Sequence, residues 1–248
     1  MRRFEANLYS PAVGRHLPVM VYGHFGVPIV VFPSMSSSHR EWEDQGMIHV
    51  LHRWIEAGKC KIYVTQSIEW EAWMNWNAPP QWRAHRALHF YDYILNQLVP
   101  FVREDCQDPG ARPTASGVSV GALHAANCVL KYPQLFSRCL GFSGRYDLGP
   151  WFDGFYNDDV YRHDPLAYAP NLEGGHLDYL RQNAHLTLVV GQGDHEGSCP
   201  DQARRLGQVL TQKGIPNWTD VWGHDSAHQW NWWQRQAVYH FEKWLGPA

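Results

Sequence analysis

The sequence predicts an α/β fold, in which a mostly parallel central sheet carries helices on both faces. Strand-like and helix-like segments alternate through the second half of the 248-residue chain, a pattern typical of parallel sheets. The segment Val27–Phe32 is a continuous apolar run, which indicates a strand buried on both faces. The apolar fraction of 44% and the charged fraction of 18% are ordinary for a globular protein of this kind.

The first half of the chain is expected to supply one edge and the centre of the sheet. Two short strands separated by the turn residues 10–14 predict an antiparallel hairpin at the edge. A long helix is predicted further on because apolar residues recur there at helical spacing. The predicted elements of this half are strands at 4–10, 17–22, 27–32 and 61–66, a helix from about 45 to 57, and a helix from about 82 to 105.

The second half repeats a strand–helix unit, which predicts functional groups at the carboxyl ends of the strands. Its predicted elements are strands at 137–143, 185–190 and 217–222, and helices at 200–213 and 228–245. We expect one domain spanning residues 1–248, with loop insertions near 70–80 and 146–180. The second insertion is aromatic and irregular, with a short helix near its end.

Composition excludes several classes of protein. The net charge of −3 gives no reason to expect nucleic acid or an anionic membrane as a partner. The apolar runs are too short to span a bilayer, and the N-terminus does not read as a signal peptide. The five cysteines are odd in number and form no C-x-x-C pair, which argues against a disulfide framework and predicts a cytoplasmic, reducing environment. The 13 tryptophans are too many for one core, so we expect some to line a cleft or a homo-oligomer contact.

Residues 117–121 form the motif that organises the chain. The segment Gly117-Val118-Ser119-Val120-Gly121 matches G-x-S-x-G, the nucleophile elbow that turns a strand sharply into a helix. The glycines two places either side of Ser119 allow the arms of the turn to approach closely. The serine hydroxyl is therefore expected above the carboxyl edge of the sheet, where the following helix favours developing negative charge.

A serine hydroxyl is a poor nucleophile and needs a general base, which in turn needs an orienting carboxylate. After the elbow these partners are expected in the order acid, then histidine. Asp194 follows a predicted strand through a Gly-x-Gly turn and is the preferred acid, with Glu196 as runner-up and Asp147 as a weaker candidate. His224 and His228 both follow the last predicted strand and compete as the base.

The remaining parts of the site are an oxyanion hole and a substrate cleft. The backbone N–H of Val120 is expected to supply one oxyanion donor. The second is expected from the loop after the buried strand, near Met35 or Ser36. Aromatic residues of the two insertions are expected to wall the substrate cleft; the candidates are Trp73, Trp76, Trp151 and Tyr156, with Trp70 and Phe155 beside them.

These segments together resemble the esterase family of α/β-hydrolases that includes esterase D-like enzymes and the antigen 85 mycolyltransferases. The segment from Phe32 to Ser36, followed by Glu41 to Asp44, resembles the family's oxyanion loop. The elbow matches, and Gly191 to Asp194 resembles the acid loop. His228 to Trp233 aligns with a His-Asp-Trp-Pro-x-Trp type motif whose histidine is the base, and this alignment favours His228 over His224.

The resemblance implies an α/β-hydrolase fold and acyl-ester chemistry without metal or organic cofactor. The sequence departs from the family motif at Gln229 and Asn231, where Asp and Pro are usual. We therefore expect the substrate preference or the start of the last helix to differ from the family's. The predicted function is that of a serine carboxylesterase acting on a small-molecule ester through Ser119, His228 and Asp194.

Three alternatives stay open at this point. The same triad could transfer the acyl group to another alcohol. A non-catalytic ligand-binding protein could use the same scaffold, because fold does not fix function. A metal-dependent hydrolase is the third class, since His224 and His228 are four residues apart, but the Glu of a zincin motif does not lie between them.

Overall fold

The fold is built on a central sheet. The computed structural model describes residues 1–35 and 37–247, and within them eight strands form one sheet. The strands are β1 Arg3–Ser10, β2 Arg15–Tyr22, β3 Val27–Phe32, β4 Cys60–Thr65, β5 Thr114–Val118, β6 Arg138–Phe142, β7 His185–Val190 and β8 Asn217–Val221. Their order across the sheet is β1-β2-β4-β3-β5-β6-β7-β8. This is the α/β-hydrolase arrangement predicted from the sequence.

The sheet is parallel apart from its first edge. Strands β1 and β2 form an antiparallel hairpin, and β2 pairs antiparallel with β4. All pairings from β4 through β8 are parallel. The predicted edge hairpin is therefore confirmed, and the carboxyl ends of β3, β5, β6, β7 and β8 meet at one edge, where the loops that follow them converge.

Helices cover the two faces of the sheet. They are α1 Glu41–Asp44, α2 Met47–Glu56, α3 Pro80–Tyr93, α4 Val99–Asp105, α5 Val120–Lys131, α6 Asp158–His163, α7 Pro165–Tyr168, α8 Gly174–Asn183, α9 Cys199–Gln212 and α10 Trp230–Leu245. A π-helical stretch, Ile94–Leu98, joins α3 to α4, so that residues 80–105 form the long helix that the apolar spacing predicted.

Alternate residues of a strand belong to two separate apolar clusters, because successive side chains of a strand point to opposite faces of the sheet. Val30 and Phe32 of β3 pack with α3, α5 and α9 in one cluster. Ile29 and Val31 pack with α2 and α10 in the other. With both faces covered, β4 and β5 are fully buried and so is β3 from Ile29 to Phe32, as the apolar run in β3 predicted, whereas Val27 at the start of β3 is exposed.

The structure differs from the sequence prediction at two places that bear on function. The 146–180 insertion contains three helices, α6, α7 and the start of α8, rather than one short helix. The last helix starts at Trp230, because Gln229 is extended (φ −146°, ψ 153°). His228 therefore lies on the loop before α10 and not on the helix. In the described part of the chain, no helix combines the length and apolarity needed to cross a bilayer.

Candidate active site

Ser119 occupies the turn between β5 and α5. Its backbone angles are φ 54° and ψ −117°, in a region that costs free energy for a residue with a side chain. The turn is held by the Ser119 N–H, which donates to the Phe142 carbonyl at the end of β6 (2.8 Å). The residue is only 5% exposed, yet it lines an open cleft. This is the strained strand-to-helix geometry expected of a nucleophile elbow.

The two glycines of the motif are required by close backbone contacts. A Cβ added at Gly117 would lie 2.6 Å from the Phe32 carbonyl oxygen and 2.5 Å from the backbone of Gly121. A Cβ at Gly121 would lie 2.1 Å from the same Phe32 oxygen. The elbow is therefore packed directly against the end of β3, which places Ser119 beside the loop that follows that strand.

That loop is fixed by a buried glutamate. Glu41 is 6% exposed, and its carboxylate accepts hydrogen bonds from the Ser34 N–H (2.8 Å) and from the Ser34 hydroxyl. Burial raises the pKa of Glu41, although the hydrogen bonds from Ser34 act in the opposite direction. Because the Ser34 N–H is engaged in this way, it is not free to bind an oxyanion. Of the two predicted donors in this loop, Met35 lines the cleft and Ser36 lies outside the described residues.

The carboxylate beside the predicted base belongs to Glu196. Its Oε2 lies 3.2 Å from Nδ1 of His228. Its Oε1 accepts hydrogen bonds from the Ser143 hydroxyl (2.6 Å) and from the Gly191 N–H (3.1 Å). Glu196 is 1% exposed, so this carboxylate is desolvated and its lone pairs are used by three partners.

The expectation that the Asp194 carboxylate contacts the imidazole is therefore corrected to Glu196, the runner-up. Asp194 is exposed, and it is its backbone carbonyl that accepts the His228 N–H (2.9 Å). The cause is the backbone between the two acids, since His195 has φ 64°, a left-handed conformation that reverses the chain. The reversal leaves the side chain at 194 in solvent and buries that of Glu196.

The loop carrying His228 is joined to the acid loop by backbone contacts. The Gly193 N–H donates to the Ser226 carbonyl (2.8 Å), and a Cβ at Gly191 would lie 2.0 Å from that same carbonyl oxygen. The position of the imidazole is therefore set by two hydrogen-bonded backbones. The competing histidine, His224, is exposed, and only its carbonyl is near this junction.

Ser119 and His228 line one cleft of about 590 Å³. The cleft opens at the carboxyl edge of the sheet, where the loops after β3, β6 and β8 meet. Its other described walls are Ser34, Met35, Arg145, Gln229, Trp230, Asn231 and Trp233. The Trp233 ring lies 4.8 Å from the imidazole of His228, and its Nε1–H donates to the Ser143 hydroxyl (2.9 Å). The tryptophans of this site thus come from the start of α10.

The four aromatic residues predicted to wall the cleft lie elsewhere, as judged from the described residues that line it. Trp73 is 1% exposed and stacks on His124, with ring centroids 4.9 Å apart. Trp151 packs edge-on against Trp73. Trp76 is exposed and carries the Arg83 guanidinium over its ring, and Tyr156 is exposed. The insertions therefore pack around α3 and α5, and this is the reason that their aromatic residues are not at the cleft.

One group of side chains has donor atoms close enough together to share a metal ion. In residues 1–35 and 37–247 this group is Glu196, Cys199 and His228, whose donor atoms lie within 4.8 Å of one another. Two of the three groups, Glu196 and His228, are hydrogen-bonded to each other in this structure.

Comparison with known proteins gives a family and a fold. The family model described as "Putative esterase" matches residues 29–241, which include the loop after β3, the elbow, Glu196 and His228. No curated protein sequence matches the chain significantly.

Solved structures share the fold over almost the whole chain. A ferulic acid esterase has a TM-score of 0.76 at 15% identity, covering 99% of this chain and 97% of its own. An S-formylglutathione hydrolase from Agrobacterium tumefaciens has a TM-score of 0.75 at 13% identity, covering 98% and 94%. MPT51 (FbpC1) from Mycobacterium tuberculosis has a TM-score of 0.72 at 15% identity, covering 99% and 98%. At these identities the similarity establishes the fold alone.

Proposed function

The chain belongs to the putative esterase family and is an α/β-hydrolase enzyme, and we propose that it is a serine carboxylesterase acting through Ser119, His228 and Glu196. The observation that carries the proposal is the cleft in which the strained serine and the histidine face the same space, with the histidine backed by a buried carboxylate. This combination supplies a nucleophile, a base and an orienting group.

In the proposed reaction, His228 takes the proton of the Ser119 hydroxyl as its oxygen attacks the ester carbonyl. Glu196, which accepts from Nδ1–H, leaves Nε2 of the same ring as the base and stabilises the imidazolium. The Val120 N–H at the start of α5 and a donor near Met35 would hold the oxyanion. The imidazolium then returns its proton to the departing alcohol, leaving an acyl group on Ser119.

Water activated by His228 would then release the acyl group as a carboxylic acid. Apart from the ester and this water, each step uses only side chains and backbone groups of this chain, so the proposal includes no metal and no organic cofactor. Acyl transfer differs only in that a second alcohol replaces water. Adding an alcohol acceptor and measuring the yields of new ester and free acid separates the two outcomes.

The experiment that tests the proposal is hydrolysis of a short p-nitrophenyl ester by the wild-type protein and by Ser119→Ala. We expect the substitution to lower kcat by about 10⁶-fold, to the level left by binding alone. If the Ser119→Ala protein hydrolysed the ester at the wild-type rate, the proposed esterase mechanism would be wrong. Specific ligand binding without hydrolysis across a broad panel of esters would instead favour a binding protein on the same scaffold.

The proposed setting is a small-molecule ester in a reducing compartment such as the cytoplasm. All five cysteines are free, as expected where thiols are kept reduced. The homo-oligomer suggested by the surplus of tryptophan stays a prediction, and light scattering on the purified protein tests it.

A further inference from the structure

Arg145 places a positive charge in the cleft that contains Ser119. The described residues that line this cleft include Arg145 but no aspartate or glutamate. Glu196, the acid paired with His228, is buried and already accepts from three partners. The cleft wall therefore presents a cationic group to whatever occupies the space in front of the serine.

The guanidinium of Arg145 also lacks a counter-ion among the residues that the structure describes. No carboxylate in residues 1–35 and 37–247 forms an ion pair with it, whereas Arg3, Arg15 and Arg86 each pair with a glutamate. The side chain is half-buried, so part of its hydration is lost. An unpaired, partly desolvated charge costs free energy, and a ligand that brings the opposite charge would recover it.

The backbone that carries Arg145 is held rigidly. The Gln202 side chain accepts hydrogen bonds from the N–H groups of Tyr146 (2.7 Å) and Asp147 (3.2 Å). The Tyr146 ring is fully buried and lies within 2.2 Å of where a Cβ at Gly144 would be, so it folds back tightly on the chain. A side chain presented from such a fixed segment needs little reorganisation to bind a ligand.

The segment is also tied to the acid–base pair. Ser143, two residues before Arg145, donates to Glu196 and accepts from Trp233. Trp230 and Trp233 line the same cleft and pack edge-on against each other, so the cleft also offers aromatic surface. A substrate with its ester carbonyl at Ser119 would thus find a cation and an apolar wall within one cleft.

From these observations we propose that Arg145 binds a carboxylate carried by the ester substrate. A guanidinium is suited to this because its planar N–H groups match the two oxygens of a carboxylate. The inference rests on the proposed esterase function and narrows its substrate class to anionic esters. The carboxylate could be on the acyl side or the alcohol side of the ester, and both positions leave the reacting bond unchanged.

Two matched ester pairs test the proposal. On the acyl side, mono-p-nitrophenyl glutarate is compared with p-nitrophenyl pentanoate. On the alcohol side, 4-acetoxybenzoate is compared with its methyl ester. The measured quantity is the ratio of kcat/KM for the anionic ester to that for the neutral one, in the wild type and in Arg145→Gln, Arg145→Lys and Arg162→Gln. Arg162 is an exposed arginine on α6 that does not line the cleft.

We expect Arg145→Gln to lower this ratio at least tenfold for one of the two pairs, mainly through KM, because a charged hydrogen bond is lost. Arg145→Lys should keep part of the preference, since it retains the charge but not the planar fork. Arg162→Gln should leave the ratio as in the wild type. A ratio unchanged by Arg145→Gln for both pairs would overturn the proposal.

A binding measurement separates this proposal from the esterase function. Calorimetric titration of Ser119→Ala protein, with and without Arg145→Gln, should show tighter binding of one anionic ester than of its neutral partner, and the added substitution should remove the difference. Equal binding of anionic and neutral esters would refute the role of Arg145. A wild-type protein that binds the anionic ester selectively but hydrolyses neither ester would refute the esterase function and leave the role of Arg145 intact.

Discussion

Nδ1 of His228 lies 3.2 Å from Oε2 of Glu196, while the backbone N–H of the same histidine donates to the carbonyl of Asp194 (2.9 Å). The two acids of the loop after β7 therefore act on His228 in different ways. Glu196 contacts the ring through its carboxylate, and Asp194 holds only the backbone. Two separate substitutions can distinguish these roles.

Glu196→Gln is expected to lower kcat/KM for a short p-nitrophenyl ester by about 10³-fold or more, because the amide no longer stabilises the imidazolium or selects the right tautomer. Asp194→Asn is the matched control. It keeps the backbone carbonyl and is expected to stay within about threefold of the wild type, since its side chain is exposed. A large loss of kcat/KM in Asp194→Asn, together with near-wild-type kcat/KM in Glu196→Gln, would show that Asp194 is the orienting acid, as the sequence predicted.

Glu41 gives a prediction on stability and pH. Burial raises its pKa in the folded protein above the ordinary value of 4.5. Between these two pKa values the folded state binds more protons than the unfolded state, so this group's contribution is present below pH 4.5 and is lost as the pH rises through the folded pKa. Glu41→Gln removes the titration, and the variant should therefore gain stability relative to the wild type as the pH rises.

Urea unfolding of both proteins between pH 4 and 8 measures this difference, with about 1.4 kcal/mol expected for each unit by which the pKa is raised. Glu104→Gln, at an exposed glutamate, is the control. A free-energy difference between Glu41→Gln and the wild type that stays constant with pH would contradict the account of the loop after β3.

Gly121→Ala tests the contact between the elbow and β3. The new methyl group would lie 2.1 Å from the Phe32 carbonyl oxygen, so the backbone must shift at a cost of about 3 kcal/mol or more. Gly175→Ala, near the start of α8, meets no atom within 4 Å and should stabilise the protein by about 0.5 kcal/mol. In thermal unfolding, Gly121→Ala should melt below the wild type and Gly175→Ala above it. Equal melting temperatures for the two variants would contradict the close contact between Gly121 and β3.

Chelation addresses the metal alternative. Because Glu196 and His228 are engaged with each other, we expect dialysis against EDTA to leave ester hydrolysis within about twofold of the untreated protein. A loss of activity on chelation that added zinc restores in the wild type, but not in Cys199→Ser, would instead show that the group Glu196, Cys199 and His228 functions as a metal site.

The sheet could be predicted from the sequence because its strands are distinct apolar runs separated by turn residues. The bounds of the strands at 27–32 and 185–190 agree with the structure, and the other strands with predicted bounds agree within one or two residues. The position of Ser119 followed from local chemistry, since the two glycines and the turn belong to one five-residue motif.

The remaining parts of the site depend on backbone turns and packing that no local pattern encodes. The choice between Asp194 and Glu196 was decided by the left-handed backbone of His195. The aromatic wall came from Trp230 and Trp233, two and five residues after the histidine, and not from the insertions. The run of tryptophans immediately after His228 was the available signal, because residues at the start of α10 are placed beside the loop that precedes it.

Covalent labelling of Ser119 tests the central claim most directly. A fluorophosphonate probe reacts with a serine only when a neighbouring base and an oxyanion site activate it. Mass spectrometry of the labelled, digested protein should show one adduct, on the peptide containing Ser119, with no adduct in Ser119→Ala and much slower labelling in Glu196→Gln. An adduct on another residue, or labelling of Ser119→Ala at the wild-type rate, would contradict the account.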